Sequence, residues 1–186
     1  MSGPSRPTAT SDGGSSAAFL LELARVLKAR RNALTVEILF LDGEEAFCKG
    51  WDDCGRPGSP DNTYGSRYYV EAAQRDGSLA GIKALVLLDM IGDRDLSLKR
   101  EDNSTRSLVD LVWKTAADLG YSANFVQQDI NIDDDHMPFL QLGAPAVDLI
   151  DFDYAPWHED SDTLDKLSAQ SLQIVGRVVH ESVRRL

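Results

Sequence analysis

Cysteine is scarce in this chain. Cys48 and Cys54 are too few for a disulfide framework, and they leave a thiolate zinc site short of ligands; they can form one loop disulfide or stay free. Basic side chains are in short supply as well: 19 Lys and Arg stand against 30 Asp and Glu, a formal net charge of -11. Such a chain has little with which to neutralise phosphates, so nucleic acid is not an expected partner. Long apolar runs are also missing, and no stretch is long enough to span a membrane. The start, Met1 to Gly14, is rich in Ser, Gly, Pro and Thr and has no apolar core of a signal peptide. Histidine occurs three times, as His136, His158 and His180.

What is present suits a globular enzyme-sized fold. The 186 residues, 42% hydrophobic and 26% charged, suffice for one domain with its own core, taken as residues 1–186. Phe19, Leu20, Leu23, Val26 and Leu27 recur at helical spacing, which predicts a helix over 17–31, with Ser15 or Ser16 available as its cap. Leu34 to Leu41 reads as a buried strand, and Cys48 to Asn62 as a long loop that could wall a site. A helix over 64–75 and a turn at 77–81 lead into a second strand, 82–90. A short strand is expected within 93–99, a helix over 104–119 ended by Gly120, and another short strand at 124–126. A helical turn at 137–142, a third buried strand at 146–150 and a last helix over 164–186 complete the pattern. Strands separated by helices predict an α/β fold, a three-layer α/β/α sandwich with a mostly parallel mixed sheet.

The chemistry-bearing residues gather at the ends of these elements. Glu44 and Glu45 follow the Asp42-Gly43 turn, at the carboxyl end of the first strand, where open α/β sheets collect ligands. Neighbouring carboxylates there can divide labour, one binding a metal and the other moving protons; a solvated acidic turn is the plain alternative. Asp89 closes an apolar run and needs a partner if buried. Asp12 precedes the first helix, where an acid also suits the helix dipole. Asp133, Asp134 and Asp135 read as a solvated turn, and His136 can pair with one of them. His180 reads as a surface residue. Phe152, Tyr154 and Trp157 read as loop packing unless the adjacent His158 binds a metal. Asp12, Glu45, Asp89, Asp134 and His158 each fall in a loop beside a core element, and one histidine with two such carboxylates makes an acceptable zinc set with an open position.

These segments occur in a specific order: Asp12 with Gly13 and Gly14, then the 40–47 stretch Phe-Leu-Asp-Gly-Glu-Glu-Ala-Phe, then Tyr64 to Arg67. Leu-Leu-Asp-Met-Ile-Gly at 87–92, Asp-Asp-His-Met-Pro-Phe-Leu at 134–140 and Trp157-His158 follow. The ordered set resembles the glutaminyl-peptide cyclotransferase branch of the M28 zinc exopeptidase family, over nearly the whole chain. The resemblance implies that fold, with its first strands absent from this chain. It implies one Zn2+ per chain, held by Asp12, Glu45 and His158. Glu44 resembles the catalytic acid/base, and Asp89 and Asp134 resemble the aspartates of the hydrogen-bond network around the reacting groups. Trp157 resembles the tryptophan lining the substrate pocket, and Tyr154 beside it becomes a second substrate-facing candidate. Departures are Asp133, where the family usually has Gln, and a lid loop of different length after Glu45.

The implied substrate is a peptide or protein N-terminus. Cyclotransferases turn an N-terminal glutamine into pyroglutamate with release of ammonia. The aminopeptidases of the same family use two zinc ions and an upstream His-x-Asp motif, and no histidine precedes His136 here. A third reading is an inactive fragment that keeps the motifs without a competent site. A leader upstream of Met1 would imply a periplasmic or secreted enzyme.

Overall fold

The strand Ala146–Ile150 explains how the layers form. Side chains of a strand alternate between faces. Val147 and Leu149 enter one core with Phe19, Leu88, Leu98, Val112, Phe125 and Val178. Ala146 enters a second, with Val70, Phe139 and Ala144. All five residues of this strand are buried, as expected of a strand covered on both faces.

The structure is a computed structural model, and it describes residues 10–29, 31–48, 51, 55–56 and 59–186. The expected irregular start at 1–9 and much of the 48–62 loop, Cys54 included, lie outside the described residues. In chain order the elements are α1 (Gly14–Lys28), β1 (Gly55–Arg56), β2 (Ser59–Pro60), α2 (Tyr64–Asp76), β3 (Leu85–Asp89) and β4 (Leu98–Glu101). They continue with α3 (Arg106–Asp118), β5 (Phe125–Ile130), α4 (Met137–Gln141), β6 (Ala146–Ile150) and α5 (Ala169–Arg185). Single turns of 3-10 helix lie at Ser78–Gly81 and Leu164–Lys166.

β3 pairs with β6 in parallel, Leu85 opposite Ala146 and Asp89 opposite Ile150. β4 pairs with β5 in parallel, and β4 lies alongside β6. β1 and β2 form a two-residue antiparallel hairpin apart from these. Helices α1, α3 and α5 cover one face of the parallel strands, and α2 and α4 the other. The fold is thus α/β with parallel pairing and helices on both sides, as the alternation of strands and helices predicts.

Several expectations are corrected. Leu34 to Leu41 forms no strand among the described residues, and none of it is fully buried. Its apolar run is that of a core strand, but no described strand supplies the partner that would complete the ladder. Helix α1 starts earlier than predicted, with Gly13 at φ 65° as its N-cap. Ser15 and Ser16 therefore lie inside the helix, and the Ser15 hydroxyl donates to the Ser11 carbonyl at 2.6 Å. The short strand expected within 93–99 forms later, at Leu98–Glu101. The last helix is broken between Lys166 and Ala169, because Ser168 caps α5 by accepting from the Gln170 and Ser171 amides. Cys48 is disulfide-bonded.

Candidate metal centre

Three turns carry the predicted ligands. The first precedes α1. Gly13 adopts a left-handed conformation that side chains disfavour, so the chain reverses and the Gly14 amide bonds the Asp12 carbonyl at 2.7 Å. The second is Asp42 to Glu45, with Gly43 at φ 61°. Its carbonyls accept from the start of α2: Asp42 from Gly65 at 2.9 Å, Gly43 from Tyr64 at 2.8 Å and Glu44 from Thr63 at 2.8 Å. The third follows β6, where the Trp157 amide bonds the Tyr154 carbonyl and Glu159 bonds Pro156. His158 sits in it at φ 57°, an uncommon conformation for a residue with a Cβ. Its ring stacks on Trp157 with centroids 4.1 Å apart.

These turns bring Asp12, Glu45 and His158 together. The Nε2 of His158 lies 2.5 Å from the Glu45 Oε1 and 3.5 Å from the Asp12 Oδ2. One donor atom from each of the three residues lies within 4.8 Å of the others. Among the described residues this is the one such cluster of three or more His, Cys, Asp or Glu. Burial, and then the Glu45 carboxylate, push the Asp12 carboxyl up, while His158 pulls it down. Two carboxylates and one imidazole that converge from segments 33 or more residues apart in sequence, with no Lys or Arg bonded to them among the described contacts, suit a divalent cation of the zinc type.

The predicted acid groups lie beside this cluster. Glu44 is half-buried, and its carboxyl is pushed up to about 10 by burial, then by Asp134, Glu45, Asp89 and Asp135. It is therefore a protonated acid at neutral pH without a metal. Asp89 accepts from the Met90 amide at 2.9 Å and from the Gly13 backbone; burial and then Asp12 raise it. The strand end is thus bonded to the turn that carries Asp12. Met90 itself is fully buried at φ 48°, and such strain persists where surroundings over-determine it. Asp134 is buried, accepts from the Asp135 amide at 2.5 Å, and is raised by burial and then by Asp89.

The run Asp133 to Asp135 is not a solvated turn, as its charge suggests. Asp133 is exposed, but Asp134 and Asp135 are buried. Asp135 accepts a 2.5 Å hydrogen bond from Ser66 on α2, and burial still raises it to about 6. His136 does not pair with these aspartates. Its Nε2 lies 3.1 Å from Glu101 at the end of β4, and its Nδ1 lies 3.9 Å from Asp148. Burial alone would raise Glu101, but the bonds from His136, Asn103, Ser104 and Ile132 outweigh it and hold the carboxyl at about 2.

Tyr154 is corrected too. It packs with Met90 and Ile150 beneath the strand ends and is 3% exposed, so it offers a substrate no face. Its phenol is bonded to Asp162 at 2.6 Å. Trp157, by contrast, is 40% exposed beside His158 and packs on Phe152 at 4.8 Å.

Two residues near the site escaped the sequence reading. Asp148 is fully buried in β6, with burial and then Asp134 raising its carboxyl. It too is an acid inside an apolar run, but unlike Asp89 it does not lie at the strand's carboxyl end. Asp162 is one acid in an acid-rich loop, and nothing in its local sequence sets it apart.

Comparison with known proteins places the chain in a family. A glutaminyl-peptide cyclotransferase of Drosophila melanogaster is 28% identical over 190 residues, which cover 87% of this chain and 52% of that protein. The crystal structure of an Acidobacteriales bacterium glutaminyl cyclase superposes with a TM-score of 0.89 at 38% identity, covering 95% of this chain and 61% of that one. A Zn-dependent exopeptidase from Parabacteroides distasonis superposes at 0.83 and 25% identity, covering 96% of this chain and 64% of that one. The chain spans about half the length of the curated relative. The pattern of Peptidase family M28 matches residues 3–183, almost the whole sequence, and the chain belongs to that family.

Proposed function

We propose that this chain carries the zinc site of an enzyme acting at peptide N-termini, most like a glutaminyl-peptide cyclotransferase. The observation that carries the reading is the convergence of Asp12, Glu45 and His158 beside a half-buried Glu44. The likeness to glutaminyl cyclases at 38% and 28% identity supports it.

Asp12, Glu45 and His158 would hold one zinc ion per chain. When bound, zinc acts as a Lewis acid toward a carbonyl oxygen. Trp157 offers an exposed aromatic face beside it for the N-terminal side chain. The substrate α-amine attacks its own side-chain amide carbon, so most of the rate comes from holding the two groups together. A C–N bond forms, the bond to the amide nitrogen breaks, and ammonia leaves. Glu44 takes the proton released by the amine and delivers it to the departing nitrogen. For this it must be ionised at the start, and a cation at Asp12, Glu45 and His158 would pull its high pKa down. Asp89 and Asp134 crowd negative charge around Glu44 and keep it basic enough to accept the proton.

A second reading, a zinc aminopeptidase, is favoured by the match to Peptidase family M28 and by the exopeptidase likeness. There Glu44 would deprotonate the attacking water. Incubation with zinc and either a Gln-initiated dipeptide or a Leu-anilide separates the two. Ammonia without anilide release is expected; anilide without ammonia would overturn the cyclase reading in favour of the peptidase. The inactive fragment predicts neither product. Glu44→Gln is expected to lose at least about a hundredfold in kcat with zinc still bound.

A further inference from the structure

The carboxylate of Asp162 lies in the His158 loop and is bonded through both oxygens, and the function proposed above gives it no part. Its Oδ2 accepts from the Thr10 amide at 2.6 Å, and both oxygens accept from the Ser11 amide, at 2.9 and 3.0 Å. Its Oδ1 also accepts from the Tyr154 phenol at 2.6 Å. The backbone is joined too, since the Thr10 hydroxyl donates to the Asp162 carbonyl at 2.8 Å. Asp162 is 1% exposed, Ser11 0% and Tyr154 3%. Buried polar groups hold position well when fully bonded, and a charged acceptor makes the stronger bonds.

The two ends of this arrangement are the two ligand-bearing turns. Ser11 immediately precedes Asp12. Asp162 follows His158 by four residues and closes that turn through its amide, which bonds the Glu159 carbonyl at 3.0 Å. Tyr154 anchors the start of the same loop and packs on the strand ends. Glu45 takes no part, being held separately by the start of α2.

We propose that Asp162 is a positioning residue of the metal centre: its carboxylate straps the Asp12 turn to the His158 loop and sets the separation of two of the three ligands. The inference rests on the metal site proposed above. The carboxylate is needed because two oxygens must accept from two amides and a phenol. An asparagine would offer one acceptor oxygen and turn an amide donor toward donors. Partners that orient ligands typically govern about ten- to a hundredfold in metal affinity.

The test compares Asp162→Asn and Asp162→Ala with wild type and with Asp151→Asn. Asp151 is another buried acid of the same loop, whose carboxylate accepts from the Ser97 amide at 2.8 Å, away from the ligand turns. Zinc affinity is measured by chelator competition at a temperature where circular dichroism shows each variant folded. The Co2+ d–d absorption and amide hydrogen exchange are recorded on the same samples. Expected are a rise in zinc Kd of at least about tenfold for Asp162→Asn, more for Asp162→Ala, an altered Co2+ band, and faster exchange at Ser11. Asp151→Asn keeps wild-type zinc affinity. An Asp162→Ala protein that is folded yet binds zinc within twofold of wild type overturns the proposal. An equal loss in Asp151→Asn also overturns it, since the effect would then be general loosening. If wild type itself takes no zinc, the proposed function fails, and the strap is decided by exchange alone: unchanged Ser11 protection in Asp162→Ala refutes it, and lost protection upholds it.

Discussion

Asp148 shows at the scale of one residue how a buried acid shapes this protein. Neither of its carboxylate oxygens has a hydrogen-bond partner among the described residues, and the strand around it is wholly buried. An unsatisfied buried polar group costs about 1–3 kcal/mol. Asp148→Val is therefore expected to raise stability by about 1–2 kcal/mol in urea unfolding; a loss of stability would mean that the carboxyl has a strong partner. The same residue marks a limit of sequence reading. Asp89 was singled out because it closes its apolar run at a strand's carboxyl end, whereas Asp148 sits in the middle of its strand. The partner of His136 was not legible, because Glu101 is 35 positions away and the pairing of β4 with β5, with the turn that follows β5, brings them together. Tyr154 looked like a substrate wall because it is an aromatic near His158. Its neighbours on the strand ends, which no local pattern reveals, place it in the core.

At the scale of elements, the site depends on how tightly α2 approaches the Glu44-Glu45 turn. A Cβ on Gly65 would lie 2.7 Å from both the Asp42 nitrogen and carbonyl oxygen, so no side chain fits without moving the turn. Gly65→Ala is expected to weaken zinc binding by at least about tenfold, by displacing Glu45, with circular dichroism unchanged. Wild-type affinity in that variant would show that the turn can shift without cost. Ser168→Ala tests an element far from the metal. It removes the side-chain cap of α5 and is expected to cost about 1 kcal/mol with zinc Kd unchanged. The helices and the strands β3 and β6 were legible because periodicity and length agree with their packing. Leu34 to Leu41 was misread because composition reports a preference for burial, while a strand also needs a neighbour's amides and carbonyls. The gathering of Asp12, Glu45 and His158 was legible only through family resemblance, since three segments so distant in sequence carry no shared spacing.

For the whole molecule, buried carboxyls set the response to pH. Asp135 and Asp151 are both pushed up to about 6, by burial first. A carboxyl whose folded pKa exceeds its unfolded value of about 4 binds its proton more tightly in the folded state. The stability it contributes is full below about pH 4 and is lost as pH rises through 6. Glu101, held at about 2, has the opposite sign but acts only in more acidic solution. The metal-free protein is therefore expected to melt at higher temperature at pH 5 than at pH 8 in EDTA; a rise toward pH 8 would contradict this. Zinc at a hundred times its Kd should add about 2.7 kcal/mol, a Tm increase of roughly 5–10 °C for a chain of this size. The most direct measurement is zinc binding by equilibrium dialysis for wild type, Asp12→Ala, Glu45→Ala and His158→Ala. One zinc per wild-type chain and at least about a tenfold loss of affinity in each variant are predicted. Undiminished zinc binding by folded His158→Ala would contradict the account.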